Sequence, residues 1–553
     1  MAAGLLSIGL TGLNAAQAGL TTTGHNIANV NTPGFSRQQV VQGTQTPMFT
    51  GGGFFGQGTT VDTVRRMYNQ FLGAQTQQTT ASATQLGTLS VQLQQVDAAL
   101  GDTAAGLSPA LDEFFRGVNG VAGAPGDVPS RQVMISDAHV LASRFQQLGS
   151  SLDDQQASAN AQITAAVATV NAYTTQIASI NRRIAELTAA STGTQQPNDL
   201  LDQRDQMVLN LNKLIGVSTV PQGDGMLNVY LSSGSALVVG MTASALTTLP
   251  DSGNPVNVQI GIKTQSGTAV RLASRDLSGG SIGGLFDFRD NALVQAQNSL
   301  GQIAVVLAQT FNDQHAKGID LAGAAGGAFF TAPVPQVQPA LTNDKLSTAI
   351  LTATLVPGGT SALTASDYRV AYDGANYAVT RLSDNWNAFT GPALPTTVDG
   401  LVINVSGGPP TPGDSFLVQP TAHAVSQFGV AITDPRKIAA AMPPNLNPAG
   451  DNRNALALAA LQSANLMGGT STYGGAYGQL VAYVGATTGE AMVEAAAQDA
   501  MLVRAENAQQ EVSGVNLDEE AANMLRYQQA YQASAKIMTI ASTMFDTILA
   551  IGR

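Results

Sequence analysis

Few side chains in this sequence could carry chemistry, and their spacing fits no metal-binding pattern. The chain contains no cysteine, which excludes disulfides, thiolate metal ligands and cysteine nucleophiles. None of its four histidines has a second histidine or a carboxylate at a spacing typical of metal ligands; they are His25, His139, His315 and His423. The sequence therefore predicts no metal site.

Aspartates offer the remaining route to catalysis. Seven of them, and no glutamate, lie between residues 319 and 425: Asp320, Asp344, Asp367, Asp373, Asp384, Asp399 and Asp414. A pair of carboxylates could cleave a glycosidic bond. Most of these aspartates, however, stand beside Gly, Ser, Asn or Thr, where aspartate usually forms turns. An enzyme with an aspartate pair stays open as an alternative, and turn formation is the expected role.

Nucleotide-binding motifs are also missing. The glycine runs at 51–53 and 279–280 lack the Lys-Ser/Thr ending of a phosphate loop and the strand–helix context of a dinucleotide site, so we expect turns there. The single tryptophan, Trp386, is expected to pack locally. We predict that the chain is not an enzyme and binds no cofactor.

Composition points to contact between subunits. Charged residues make up only 11% of the 553 residues, against about a quarter in a typical domain. The net charge of −12 argues against nucleic acid as a partner. No window approaches the roughly 20 apolar residues of a membrane span, and no cleaved secretory signal follows Met1. We expect no membrane insertion, while export by a route without a cleaved signal stays open.

Apolar stripes of helical period lie at the two ends of the chain. The first 36 residues contain no charged side chain, and apolar residues recur at intervals of seven: Leu6, Leu13, Leu20 and Ile27. Residues 514–553 carry a second stripe: Leu517, Ala521, Met524, Tyr531, Ala535, Met538, Phe545 and Leu549. These stripes predict an assembly interface in which the ends pair with each other or with neighbouring subunits. The pattern fits pairing within one chain and pairing between chains equally well.

Local signals bound the two terminal helices. Asn516 is placed to cap the C-terminal helix, with Glu519 at its third position. Pro33-Gly34 fits the centre of a type II turn, so the N-terminal helix should end before it. Four glycines, at positions 9, 12, 19 and 24, together cost an isolated helix about 3–4 kcal/mol. We expect this helix to be ordered only when packed, and the glycines to permit close approach of another backbone.

The order along the chain is helix, β, helix, β, helix. Residues 60–190 read as helical, and Ile163, Val170, Ile177 and Ile184 hold one position of a heptad repeat. Alternation over 216–275 predicts a small antiparallel domain, and Tyr368–Thr380 predicts a hairpin around Asp373-Gly374. We predict a mainly α fold whose discontinuous helical core is built by both chain ends, with antiparallel β domains inserted in the middle. The predicted units are a terminal coiled-coil domain (1–50 and 505–553), a helical bundle (51–215, 281–318 and 426–504) and β domains at 216–280 and 319–425.

Both ends carry segments that resemble a known family. Residues 12–17 and 25–35, including His25-Asn26-Ile27-Ala28-Asn29, resemble the N-terminal signature of flagellar rod, hook and hook-associated proteins. Ser513-Gly514-Val515-Asn516-Leu517-Asp518-Glu519-Glu520 and Tyr527-Gln528-Gln529-Ala530-Tyr531 resemble their C-terminal signature. Internal segments at 198–206, 311–315 and 451–454 resemble the members of this family that form the hook–filament junction.

The resemblance implies a secreted structural subunit of the bacterial flagellum, located outside the cell at the distal end of the hook. Its implied partners are copies of itself in a ring, the hook protein, the next hook-associated protein and an export chaperone on the C-terminal helix. Export would be unfolded, through the flagellar type III apparatus. A rod or hook protein and a secreted adhesin that uses its β domains remain the alternatives.

Overall fold

The computed structural model describes residues 2–49, 51–102, 106–191, 195–264, 267–444 and 447–551. Helices dominate, and antiparallel sheets interrupt them in the middle of the chain, which confirms the predicted fold class. The helices are α1 (Ala2–Ala28), α2 (Gln70–Leu100), α3 (Leu107–Gly123), α4 (Val128–Ala190), α5 (Asn198–Asn212), α6 (Gly280–Asp287), α7 (Val294–His315), α8 (Ala424–Gln427), α9 (Arg453–Ala460), α10 (Tyr473–Ser513) and α11 (Leu517–Ile551). None of these described helices is long and apolar enough to cross a membrane.

The two ends of the chain form one unit. Helix α1 packs along α11. The two helices are antiparallel, as shown by the contacts of Gly9 with Met538 and of Gly19 with Tyr527. Beside α1 stands an extended hairpin built from β1 (Gln38–Thr44), β2 (Met48–Phe49), β3 (Phe54–Phe55) and β4 (Thr59–Arg66).

The prediction of helix over 60–190 is wrong at its beginning, since β4 occupies Thr59–Arg66. The predicted terminal unit over 1–50 is also not wholly helical, since β1 and β2 lie within it. Thr59, Thr60, Val61 and Thr63 are β-branched and favour a strand, and β4 finds its partner in β1, with Gln38 opposite Arg66.

The remaining long helices form a bundle. Helix α2 packs against α10 and α6, and α3 packs against α4. A π-helical turn, Phe288–Leu293, links α6 to α7. The 63 residues of α4 span about 95 Å. Its heptad stripe is buried as expected, and it packs against the first β domain and α5.

The first β domain has two sheets, with strand orders β5-β6-β7-β8 and β11-β10-β9. Its strands are β5 (Val217–Pro221), β6 (Leu227–Leu231), β7 (Ala236–Val239), β8 (Thr242–Ala243), β9 (Leu246–Pro250), β10 (Val258–Lys263) and β11 (Ala269–Arg271). Asn171 and Asn181 of α4 hydrogen-bond to the main chain of this domain at Leu246 and Leu227.

The second β domain has its own apolar core. Its strands are β13 (Gln336–Pro339), β14 (Ile350–Leu355), β15 (Tyr368–Tyr372), β16 (Tyr377–Arg381), β17 (Asn387–Gly391), β18 (Thr396–Val398), β19 (Leu401–Ser406) and β20 (Ser415–Gln419). Strands β12 (Phe330–Thr331) and β21 (Gly429–Val430) flank it in sequence, pair with each other and pack on the core of the bundle. The five-stranded sheet has the order β13-β20-β15-β16-β17, and the three-stranded sheet β14-β19-β18. The predicted hairpin is present, with Tyr372 opposite Tyr377.

Most of the aspartates in this domain form turns, as predicted. Five accept hydrogen bonds from nearby main-chain N–H groups: Asp320, Asp344, Asp373, Asp384 and Asp414. The other two differ. Asp399 accepts from the Tyr368 hydroxyl and from Arg381, and Asp367 is fully buried beside Gln419. Trp386 is half exposed and lies over the Arg381 guanidinium, 4.9 Å from ring centroid to Cζ.

Candidate assembly interface and the joint beneath it

Small residues form the seam between α1 and α11. A methyl group on Gly9 would lie 2.8 Å from the Met538 Cγ, and one on Gly19 would lie 2.5 Å from the Tyr527 ring. The α1 residues buried in this region are Gly9, Ala15, Ala16, Gly19, Thr23 and Asn26. The two helix backbones can approach closely because these side chains are short. Sequence reasoning noted the glycines but did not assign the seam to them.

The predicted interface residues lie mostly at the flanks of this seam. Among the glycines of α1, Gly9 lies directly against one of them, Met538. On α1, Leu6 is exposed, and Leu13, Leu20 and Ile27 are half-buried. On α11, five of the predicted residues remain exposed in the single chain: Leu517, Met524, Tyr531, Phe545 and Leu549. The apolar stripes thus face outwards on a helix pair held together by small residues.

A polar joint connects this helix pair to the bundle. Glu520 is only 2% exposed, and its carboxylate accepts hydrogen bonds from the Arg37 Nε at 2.7 Å and the Asn26 Nδ2 at 3.2 Å. Asn26 also exchanges two hydrogen bonds of 2.9 Å with the main chain of Gln38. The Arg37 N–H donates to the Ser513 carbonyl at 2.8 Å. The joint therefore binds both ends of the chain at one point.

The other half of the joint comes from α5. Asp202 accepts from the Ser36 N–H at 2.8 Å and from Arg66 at 2.9 Å, and Arg66 also reaches Asp205 at 2.7 Å. The guanidinium of Arg66 stacks on Tyr68, 4.2 Å from the ring centroid. Burial, with the charge of Asp205 nearby, raises the pKa of Tyr68 to about 12. The phenol therefore stays neutral, and the joint keeps its charges in hydrogen-bonded pairs.

The local signals at the two helix ends are confirmed. The Phe35 N–H donates to the Thr32 carbonyl, and Gly34 has φ +78°, as the type II turn requires. Asn516 Oδ1 accepts from the N–H groups of Asp518 and Glu519 at 2.9 and 3.3 Å. An open cleft of about 720 Å³ separates the turn from the end of α10.

This arrangement holds the terminal helices against the bundle. Across the described ranges, no group of three His, Cys, Asp or Glu side chains could hold a metal ion. The charged residues of the joint pair with one another.

Comparison with known proteins identifies the family. Family models match residues 93–330 (flagellar hook-associated protein FlgK helical domain), 341–420 (flagellar hook-associated protein 1, D2-like domain), 6–35 (flagella basal body rod protein) and 508–551 (flagellar basal body rod FlgEFG protein C-terminal). Flagellar hook-associated protein 1 of Salmonella typhimurium is 36% identical over 554 residues, which cover 99% of each chain. The chain belongs to the flagellar hook-associated protein 1 family.

Other members of the flagellar hook-associated protein 1 family are similar to this chain over most of its length. The Escherichia coli relative is 35% identical over 99% of both chains, and the Bacillus subtilis relative is 23% identical over 97% of this chain and 96% of its own. The structure of the flagellar hook junction protein FlgK from Burkholderia pseudomallei is 28% identical, with a TM-score of 0.74. That match covers 80% of this chain and 100% of the other. These proteins are structural components of the flagellum, so the predicted family and the prediction of a non-enzyme are confirmed.

Proposed function

We propose that this chain is a structural subunit that assembles at the distal end of the hook, as the hook–filament junction, through the outer faces of α1 and α11. The observation that carries this proposal is the apolar face at the end of α11. Its large side chains are between 38% and 57% exposed: Ile537, Ile540, Met544, Phe545, Ile548 and Leu549. Fully burying an exposed side chain of this size contributes about 1.5–3 kcal/mol. These side chains are already about half buried, so each contributes roughly half as much, and together they favour association.

The proposed partners are other copies of this chain, the hook protein and the next hook-associated protein. Copies of the chain form a ring, the hook protein lies below it, and the next hook-associated protein lies above it. The likeness of this chain to the flagellar hook junction protein FlgK from Burkholderia pseudomallei supports this location. The predicted interface residues Leu6, Leu13, Leu20 and Ile27 would pack with Leu517, Met524, Tyr531, Phe545 and Leu549 between neighbouring copies. Met538 would support this contact from within the chain, where it packs on Gly9.

Export unfolded through the flagellar type III apparatus, to a place outside the cell, completes the proposal. A chain without cysteine forms no disulfide that could block passage. An export chaperone would cover the apolar end of α11 before export. Folding of the glycine-rich α1 would then be coupled to assembly.

Electron microscopy of the purified chain with isolated hooks that lack their distal proteins tests this function. We expect added density only at the distal tip, and its loss when residues 1–40 or 515–553 are removed. Leu13→Asp and Met538→Asp should also abolish binding while residues 60–500 stay folded. Leu346→Asp is the matched control, because Leu346 is 87% exposed in the second β domain. Failure of the folded, full-length chain to bind hooks would contradict the proposal.

A further inference from the structure

An apolar hairpin tip projects beside α1. Strands β2 and β3 pair Met48 with Phe55 and Phe49 with Phe54, and these four side chains are between 54% and 74% exposed. The rings of Phe49 and Phe54 lie 5.3 Å apart between centroids. No charged residue occurs between Arg37 and Asp62, so no charge accompanies this apolar surface. Such a patch on a folded chain marks a contact site.

The base of the hairpin is fixed to α1. The Gln45 N–H donates to the Gly58 carbonyl at 3.1 Å, and the Thr59 N–H donates to the Thr11 hydroxyl at 3.4 Å. Gly58 has φ +100°, and a methyl group there would lie 3.3 Å from the Cα of Ile8. Only glycine fits this close approach. The base of the hairpin is therefore held in a defined position relative to α1.

We propose that this hairpin tip packs on the apolar end of α11 in a neighbouring copy of the chain. The inference rests on the proposed function, since it needs copies arranged side by side. Both surfaces are apolar and poor in charge: between Ile537 and Leu549 the only charged residue is Asp546. Contact between them removes large apolar side chains from water on both sides without burying an unpaired charge in the hairpin.

The base of the hairpin lies near the level at which the apolar end of α11 begins. Gly9 packs beside Met538 and Gly12 beside Ser534, so the hairpin base at Ile8 and Thr11 stands level with residues 534–538. At 100° per residue, the hairpin leaves α1 roughly a quarter turn away from the seam. Copies arranged around an axis along these helices would bring the hairpin of one copy beside the α11 helix of the next. A contact between two different patches produces rings or helices, as a ring-like assembly requires.

Disulfide trapping in assembled hooks tests the contact, because the natural chain has no cysteine. The variant Phe54→Cys/Ile548→Cys is expressed in a motile bacterium without its own junction protein, and isolated hooks are mildly oxidised. We expect covalent ladders of three or more copies. Neither single variant should form them, nor should the control Phe54→Cys/Leu346→Cys, whose second position lies in the second β domain.

Other outcomes of the trapping experiment overturn either the contact or the proposed function. Incorporation of the double variant without ladders overturns the contact, and so do covalent dimers from Phe54→Cys alone, which would show the tip facing itself. Absence of the wild-type chain from hooks instead overturns the proposed function. As a second measurement, the Kd of the Phe54→Glu/Phe55→Glu variant for isolated hooks should rise at least about tenfold. A tenfold rise corresponds to a loss of about 1.4 kcal/mol of binding free energy. Wild-type binding by this variant, with an unchanged circular dichroism spectrum, overturns the inference.

Discussion

Arg37 and Glu520, 483 positions apart in the sequence, form an ion pair with 2.7 Å between Nε and Oε1. The carboxylate is buried, so its pairing holds the two ends of the chain to the bundle. We predict that Arg37→Met lowers the free energy of unfolding of the terminal unit by about 3–5 kcal/mol, because it leaves a buried charge without its cation. Hydrogen exchange should then accelerate in α1 and α11 while α4 stays protected.

The matched control for this prediction is Arg116→Met. Arg116 pairs with Glu113 on the surface of α3, where both side chains are exposed. Such a pair is worth about 0–1 kcal/mol, so protection of α1 should not change. Equal effects of the two substitutions would show that the joint does not hold the helix pair.

The glycines of α1 differ in what surrounds them. A methyl group on Gly19 would lie 2.5 Å from the Tyr527 ring, whereas nothing lies within 4 Å of one on Gly24. We predict that Gly24→Ala stabilises the helix by about 0.8–1 kcal/mol through its propensity. Gly19→Ala should destabilise the α1–α11 pair by about 1–3 kcal/mol, because the ring must move. Thermal unfolding and hydrogen exchange of the two variants measure the difference, and stabilisation by Gly19→Ala would contradict the seam.

Local sequence signals predicted the parts of this fold that neighbouring residues determine. The cap at Asn516, the turn at Pro33-Gly34 and the hairpin at Asp373-Gly374 all depend on residues within a few positions, and all are present. The terminal stripes were visible for the same reason, since a helix brings residues seven apart onto one face.

Parts that depend on distant residues were not predictable in this way. Glu520 reads as one of three acidic residues in the first turn of a helix, yet its burial comes from Arg37 and Asn26 at the other end of the chain. The leucines of α1 suggested the seam, whereas the approach distance to α11 selects Gly9 and Gly19. Strand β4 was missed because its partner β1 also had no recognised pattern.

Asp367 should make the stability of the second β domain depend on pH. Its carboxylate is fully buried, accepts from the Gln419 Nε2 at 3.1 Å, and has its pKa raised by burial from 3.8 to about 6. The folded state therefore binds the proton more tightly, so stability falls as pH rises from about 4 to about 6, by about 3 kcal/mol in total. We predict that Asp367→Asn removes this slope and raises Tm above pH 6.

The control for Asp367 is Asp373→Asn in the exposed turn of the predicted hairpin. Hydrogen bonds from the Asn376 and Ala375 N–H groups lower the pKa of Asp373, so its contribution to stability is lost mainly below about pH 4. Thermal unfolding between pH 4 and 7 should therefore show the wild-type slope in this variant. A slope that persists in Asp367→Asn would assign the effect to another group.

His315 should make the bundle sensitive to acid. Its Nδ1 donates to the Gly327 carbonyl at 2.7 Å, and its Nε2 accepts the Ala439 N–H at 2.9 Å, so the buried ring is neutral. Burial, with the positive charge of Arg131 nearby, lowers the pKa of the ring below 6.5, despite opposing effects of Gly327 and Asp320. The unfolded chain then binds more protons, and this contribution to stability is lost as pH falls below about 6.5.

An NMR titration of His315 tests this prediction, with its resonance assigned by its absence in the His315→Gln variant. The titration midpoint of His315 in the folded chain should lie below that of the same histidine in a peptide of residues 312–318. A midpoint equal to that of the peptide would contradict this.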